Sequence, residues 1–160
     1  MRKVVSNTTP ILSLLKIDKL SLLKELYGKI TIPYAVYQEI EKGVDKPYYK
    51  DLSKIDWIDI KHLTTPSFPA YHIDLDLGET EVLLLSKELN ADLVIIDEIL
   101  ARRYAKQLEL NLTGTLGILL KAKQMYLIES VKELLDELKE KGNWYSSELT
   151  SNVLKLANEI

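Results

Sequence analysis

Short apolar runs rich in β-branched residues alternate with helix-patterned segments along this 160-residue chain, and that alternation limits the fold more than any other feature. The clearest run is "DLVIID" (92–97), which is almost continuously apolar. Such a strand suits a sheet covered on both faces, because alternation is lost when neither face meets water. "RKVVS", "KITIP", "WIDIK" and "LNLTG" read as further short strands. Between them lie "TTPILSLLKI", "DKLSLLKELYG", "YAVYQEIEKG", "ETEVLLLSKELN", "EILARRYAKQLE" and "TLGILLKAKQM", all with helical spacing. Asp18 is placed to cap the second of these helices and Gly28 to end it. Residues 44–56 are polar and irregular, with room for one helical turn. "HLTTPSFPAYHIDLDLG" (62–78) is a long loop. "SVKELLDELKEKG" and "SSELTSNVLKLANEI" close the chain as amphipathic helices. The pattern predicts an α/β fold: a three-layer α/β/α sandwich around a central parallel sheet of four to five strands.

A chain of this length reads as one domain, residues 1–160. No apolar run reaches the ~20 residues needed to span a bilayer, and the start lacks a secretory pattern. The chain has no cysteine, which removes disulfides, thiolate catalysis and cysteine–zinc sites. A reducing cytoplasm is the expected setting. The net charge of −3 argues against a strongly basic nucleic-acid binder. The charge is uneven, however. Within 101–123, Arg102, Arg103, Lys106, Lys121 and Lys123 face only Glu109, a balance suited to a phosphate backbone or simply to a solvated helix face.

Right-handed crossovers bring every strand's carboxyl end to one edge of a parallel sheet, where ligands bind. The residues just past those ends are Asn7, the segment 33–39, Asp97 with Glu98, and Gly114 with Thr115. Glu39 borders the apolar stripe of its helix, so it either snorkels to water or needs a partner or an ion. Glu79 opens its helix, where negative charge is favoured in any case. Glu81, two residues on, points elsewhere on the helix; either could reach the crevice, and Glu79 is preferred. Asp97 either serves the site or caps the helix beginning at Ile99. Oxygen donors without histidine or cysteine ligands suit a hard cation, magnesium or manganese. Thr115 and the amides beside it are placed to meet a phosphate or to start a helix. His62 and His72 pair with no serine at workable spacing, and no phosphate-loop or dinucleotide fingerprint occurs.

Taken together, "VVSNTTPILSLLKI…LLKELYGKITIPYAVYQEI" and "LDLGETEVLLLSKELNADLVIIDEILARRYAKQLELNLTGTLGILLKAKQMYLI" resemble the PIN-domain superfamily. The nearest pattern is that of a prokaryotic PIN-like group, "VSDTSP…LGE…IDD…AR…GTLGIL". The resemblance covers about residues 3–130, with 129–160 as a C-terminal helical extension. It implies a metal-dependent endoribonuclease, as in the toxin ribonucleases of toxin–antitoxin pairs. RNA is the implied substrate, a homodimer the implied assembly, and a small antitoxin protein an implied partner. The implied catalytic positions are Asn7, Glu39, Glu79 and Asp97. Of these, Glu39, Glu79 and Asp97 are the implied ligands of Mg²⁺ or Mn²⁺. Arg102, Arg103, Thr115 and Lys121 are the expected RNA contacts.

One position departs from the pattern. The family has aspartate where this chain has Asn7. The amide keeps the shape and an acceptor oxygen but loses the charge, so weak activity is expected. Two origins fit: drift in a protein that binds RNA and cuts poorly, or a change made to silence a harmful nuclease. Asparagine also caps helices well, and that role fits both. The alternative reading is an RNA-binding or protein-interaction module on the same fold.

Overall fold

The computed structural model of the chain describes residues 2–64 and 74–160. Most of the predicted long loop, His72 included, lies outside the described residues. Five strands form one wholly parallel sheet: β1 (Val4–Ser6), β2 (Ile30–Pro33), β3 (Ile58–Lys61), β4 (Leu93–Ile95) and β5 (Leu112–Thr113), in the order β3-β2-β1-β4-β5. This is the α/β sandwich that the alternation predicts. Val5 pairs with Thr31 on one side of β1 and with Val94 on the other. Every residue of β1 and β4 is buried, because helices cover both faces of the sheet.

The helices are α1 (Thr8–Lys16), α2 (Ser21–Tyr27), α3 (Tyr34–Glu41), α4 (Leu77–Leu89), α5 (Ile99–Gln107), α6 (Thr115–Gln124), α7 (Val131–Glu140) and α8 (Ser147–Leu156). A single 3-10 turn over Leu52–Lys54 is the one turn expected in the irregular stretch. The core joins Val5, Ile32, Val94 and Ile96 of the sheet region to Leu14, Leu23, Val36, Leu83 and Ile118 of the helices. Val131 and Leu138 of α7 and Val153 of α8 belong to the same cluster.

Asp18 does not cap α2 as expected. The helix begins at Ser21, behind Leu20, with no side-chain cap. Asp18 instead closes α1: its backbone is left-handed (φ 54°), its N–H donates to Leu15 O, and the Lys19 N–H reaches back to Leu14 O. This is a Schellman ending, and a short polar side chain tolerates the left-handed position better than most.

The last helices are fastened by Glu159. Its carboxylate accepts the Val131 N–H at 2.8 Å, the Lys132 N–H at 3.0 Å, the Ser130 hydroxyl at 3.0 Å and the Lys123 ammonium at 2.9 Å. The first two are donors at the start of α7 that no helical carbonyl can satisfy. Burial alone would raise the Glu159 carboxyl, but these bonds outweigh it and pull it from 4.5 down to about 2. A depressed carboxyl stabilises the fold above its unfolded value, and that contribution is lost as the pH falls through the folded one. Glu159→Gln is therefore expected to cost about 2 kcal/mol at neutral pH. In urea titrations its deficit against the parent chain narrows between the unfolded value of 4.5 and about 2.

Candidate active site

The strand order reverses between β1 and β4: β2 and β3 lie to one side, β5 to the other. In open α/β sheets the ligand crevice forms at the carboxyl ends of the strands beside such a reversal. Asn7 follows β1 there. Its N–H donates to Ile95 O at 2.9 Å, which holds it alongside the end of β4, two residues before Asp97. Asn7 is only 4% exposed. It occupies the N-cap position of α1, yet its side chain makes no capping bond. The capping role that asparagine suits so well is not the one it plays. The neighbouring Thr8 hydroxyl is buried and has no hydrogen-bond partner among the described residues.

Asp97 does not cap α5. Glu98 does, accepting the Ala101 N–H at 2.7 Å. Asp97 turns across to the start of α6. One carboxylate oxygen accepts the Thr115 N–H at 2.7 Å and the other the Thr115 hydroxyl at 2.6 Å. Gly114 makes this approach possible, since a Cβ there would lie 2.6 Å from the Asp97 Oδ1. Thr115 is fully buried and gives both donors to Asp97. In this structure it is a residue that orients Asp97.

Glu39 and Glu79 meet at the start of α4. Asp76 and Glu79 form a capping box: the Asp76 carboxylate accepts the Glu79 N–H at 2.7 Å, and Glu79 accepts the Asp76 N–H at 3.1 Å. Gly78 faces the Glu39 carboxylate, and a Cβ on it would come within 2.6 Å of the Glu39 Oε1. Glu81 turns back to α3, accepting the Ala35 N–H at 3.3 Å. Burial raises the Glu79 carboxyl above its ordinary 4.5; the Asp76 N–H opposes this, and the charges of Asp76, Glu98 and Glu39 add to it. Several negative charges therefore crowd one edge.

They do not converge as closely as expected. Among the described residues, no three histidine, aspartate or glutamate side chains lie close enough together to hold one ion. The reason is local. Glu79 is engaged with Asp76 and Asp97 with Thr115, so these two carboxylates are tied to the starts of different helices.

The basic stretch does not form one face. Arg102 donates from Nη1 to Ile96 O at 2.6 Å, beside Asp97, while Arg103 is exposed on α5. Lys123 is bound to Glu159 and Ala157 O, far along α6 from Thr115. Lys121 lines a different cleft, with Arg2 and Tyr27.

One residue near this edge was not foreseen. Tyr145, on the connection between α7 and α8, has its phenol raised by burial, opposed by its hydrogen bond with Asn143 and raised further by the negative charge of Asp97. Asn143 fixes this connection: its Nδ2 donates to the Tyr145 hydroxyl at 3.1 Å and to Ser13 Oγ at 2.9 Å, and its Oδ1 accepts from Lys16 at 3.1 Å. The available signal was "GNWYSS", an aromatic pair in a polar turn, where plain linkers carry none.

A family model described as the PIN domain matches residues 3–159, across the whole sheet and both final helices. The chain belongs to the PIN-domain family. No curated protein matches it. The fold is thus of the PIN nuclease type, and α7 and α8 lie inside the matched region. PIN domains are generally divalent-metal dependent. The donors here fit such an ion in kind: all are oxygen, the acids repel one another, and the Thr8 hydroxyl beside Asn7 is unsatisfied among the described residues.

Gly78 and Gly114 of this PIN domain give contrasting expectations. At Gly78 the obstacle to a Cβ is the flexible end of Glu39, and alanine favours a helix by up to ~1 kcal/mol. Gly78→Ala is therefore expected to leave stability unchanged or slightly raised while displacing Glu39. At Gly114 the obstacles include Ile96 O, a backbone atom at 3.3 Å, and an Asp97 already fixed by Thr115. Gly114→Ala is expected to destabilise by about 1–3 kcal/mol. Equilibrium unfolding in urea separates the two.

Proposed function

We propose that the chain is a metal-dependent endoribonuclease of PIN type whose activity is weakened by Asn7. One observation carries the proposal: Asn7 and Asp97 flank the strand-order reversal, with Glu39 and Glu79 gathered at the start of α4 on the same side of the sheet. Glu39, Glu79 and Asp97 would hold Mg²⁺ or Mn²⁺ once their side chains turn from their present partners toward the ion, since they do not stand together without it. When bound, such an ion lowers the pKa of water and neutralises charge on a phosphodiester. The chain's own part is positional. Thr115 fixes the direction of Asp97, Gly78 leaves space for Glu39, and the capping box fixes Glu79. Arg102 and Arg103, on the helix after Asp97, supply positive charge for the RNA backbone. Asn7 offers a neutral acceptor at the most enclosed of the four positions.

A second reading has its own support. Asn7 and the absence of a three-acid group among the described residues favour an RNA-binding module that cuts poorly or not at all. Toxin action, a homodimer, a small antitoxin-like protein as partner and a cytoplasmic setting belong to the same proposal. Among the described residues no helix is long and apolar enough to cross a membrane. Exposed Trp144, Leu149 and Leu156 give a partner protein an apolar surface on the last helices.

The test compares RNA cleavage by the parent chain and by Asn7→Asp, each with Mg²⁺, Mn²⁺ or EDTA. Asn7→Asp is expected to cut at least roughly a hundredfold faster, since one charge at an enclosed site is worth several kcal/mol. Both activities vanish in EDTA, and Asp97→Asn abolishes the gain. If both chains are inert on varied RNAs and neither binds an ion by calorimetry, the nuclease reading fails. Salt-sensitive RNA binding that survives EDTA would then establish the binding module.

A further inference from the structure

Lys121, expected at the nucleic-acid face, lines a cleft of about 280 Å³ between α2 and α6, together with Arg2, Tyr27, Thr113, Gly117 and Gln124. The cleft is separate from the acidic edge. Arg2 precedes β1 and Leu93, also in its wall, opens β4, so it reaches the amino ends of the strands. Asn7 and Asp97 follow the carboxyl ends.

Its lining has a consistent chemistry. It holds two cations and no acid, in a chain whose net charge is −3. Neither Arg2 nor Lys121 takes part in an ion pair among the described residues. Arg2 is instead laid over the Tyr27 ring, 5.6 Å from its centre. Burial raises the Tyr27 phenol, with Arg2 opposing, so the ring stays neutral and offers its face to the guanidinium. That contact orients Arg2 while leaving its N–H fork free for an anion. Thr113 adds a hydroxyl and Gln124 a carboxamide. Gly117 keeps the hydroxyl accessible, because a Cβ there would press directly on the Thr113 Oγ1.

We propose that this cleft is a second ligand site that takes a phosphate group. Arg2 and Lys121 supply the charge, Thr113 and Gln124 the neutral donors, and Tyr27 the orientation of Arg2. A guanidinium fork opposite an ammonium is a donor set matched to tetrahedral oxyanions. The volume leaves space for more than the phosphate alone. The group can come from a free nucleotide or from a nucleic-acid strand passing between α2 and α6, and the same cations would hold either.

The full chain, in EDTA and low salt, is titrated by amide NMR with inorganic phosphate, a nucleoside 5′-monophosphate and a single-stranded oligoribonucleotide. Saturable shifts are expected at Thr113, Gly117 and Gln124, weakening as salt is added. Arg2→Ala and Lys121→Ala are each expected to lower affinity at least about tenfold. Both side chains are exposed, so neither change disturbs folding. A mononucleotide bound tenfold more tightly than phosphate assigns the site to free nucleotides, and an oligoribonucleotide bound tighter still, and displaced by phosphate, assigns it to a strand. Equal affinity assigns it to the phosphate alone. No saturation with any of the three, or shifts that persist unchanged in both variants, overturns the proposal. The nuclease reading is untouched by either result, since no ion is present and the residues differ.

Discussion

Val4, Val5 and Ser6 pair in parallel with Leu93, Val94 and Ile95, and this three-residue ladder sets where everything else at the acidic edge can stand. Parallel neighbours cannot be joined by a tight turn, so each strand must hand over to a helix at the same edge. Buried on both faces, β1 and β4 fix their register through apolar packing. The Asn7 N–H then extends the ladder by one bond, to Ile95 O. Asn7 and Asp97 are neighbours for that reason, although ninety residues separate them in the chain.

The carboxylates of the edge work in the fold whether or not an ion is bound. Each meets donors at the start of a helix, where N–H groups lack carbonyl partners and the helix dipole favours negative charge. Asp97 meets α6, Glu79 meets α4, Glu98 meets α5 and Glu81 meets α3. The same electrostatics that would attract a divalent cation is thus partly neutralised by backbone dipoles. This explains how so many acids can crowd one edge of a stable fold. It also explains why they stand apart: each is drawn to its own helix.

The sheet was legible because its cause is local. Runs such as "DLVIID", short and bounded by turn signals, suit doubly buried strands, and β1 and β4 are buried throughout; "WIDIK" follows instead from alternation and keeps an exposed side. The placement of Asn7 and Asp97 past strand ends and of Glu79 at a helix start was legible from the pattern; Glu39, late in α3, was singled out by its apolar neighbours and the family pattern. Roles within the site were less so. Nothing in the spacing of Asp97 and Glu98 tells which one caps α5, since that depends on the distant Thr115 being presented at the end of β5. The basic stretch misled because charge counting ignores helix phase. Lys121 and Lys123 lie far enough along α6 to face another cleft and the chain terminus. Tyr145 was hidden for a similar reason, as its position is set by Asn143 reaching α1 across more than a hundred residues.

Asn7 is best understood through its enclosure. At 4% exposure, an aspartate in its place would be a nearly buried charge among acids that already raise Glu79. Such a charge is costly until a cation offsets it. With aspartate, folding and ion binding would be coupled, since the ion would relieve a strain present in its absence. With asparagine that coupling is loosened. The amide makes no cap bond and the Thr8 hydroxyl beside it is unsatisfied among the described residues. Under the proposed nuclease reading, the chain keeps the enclosure of this position while lacking one of the charges that would make an ion bind tightly there.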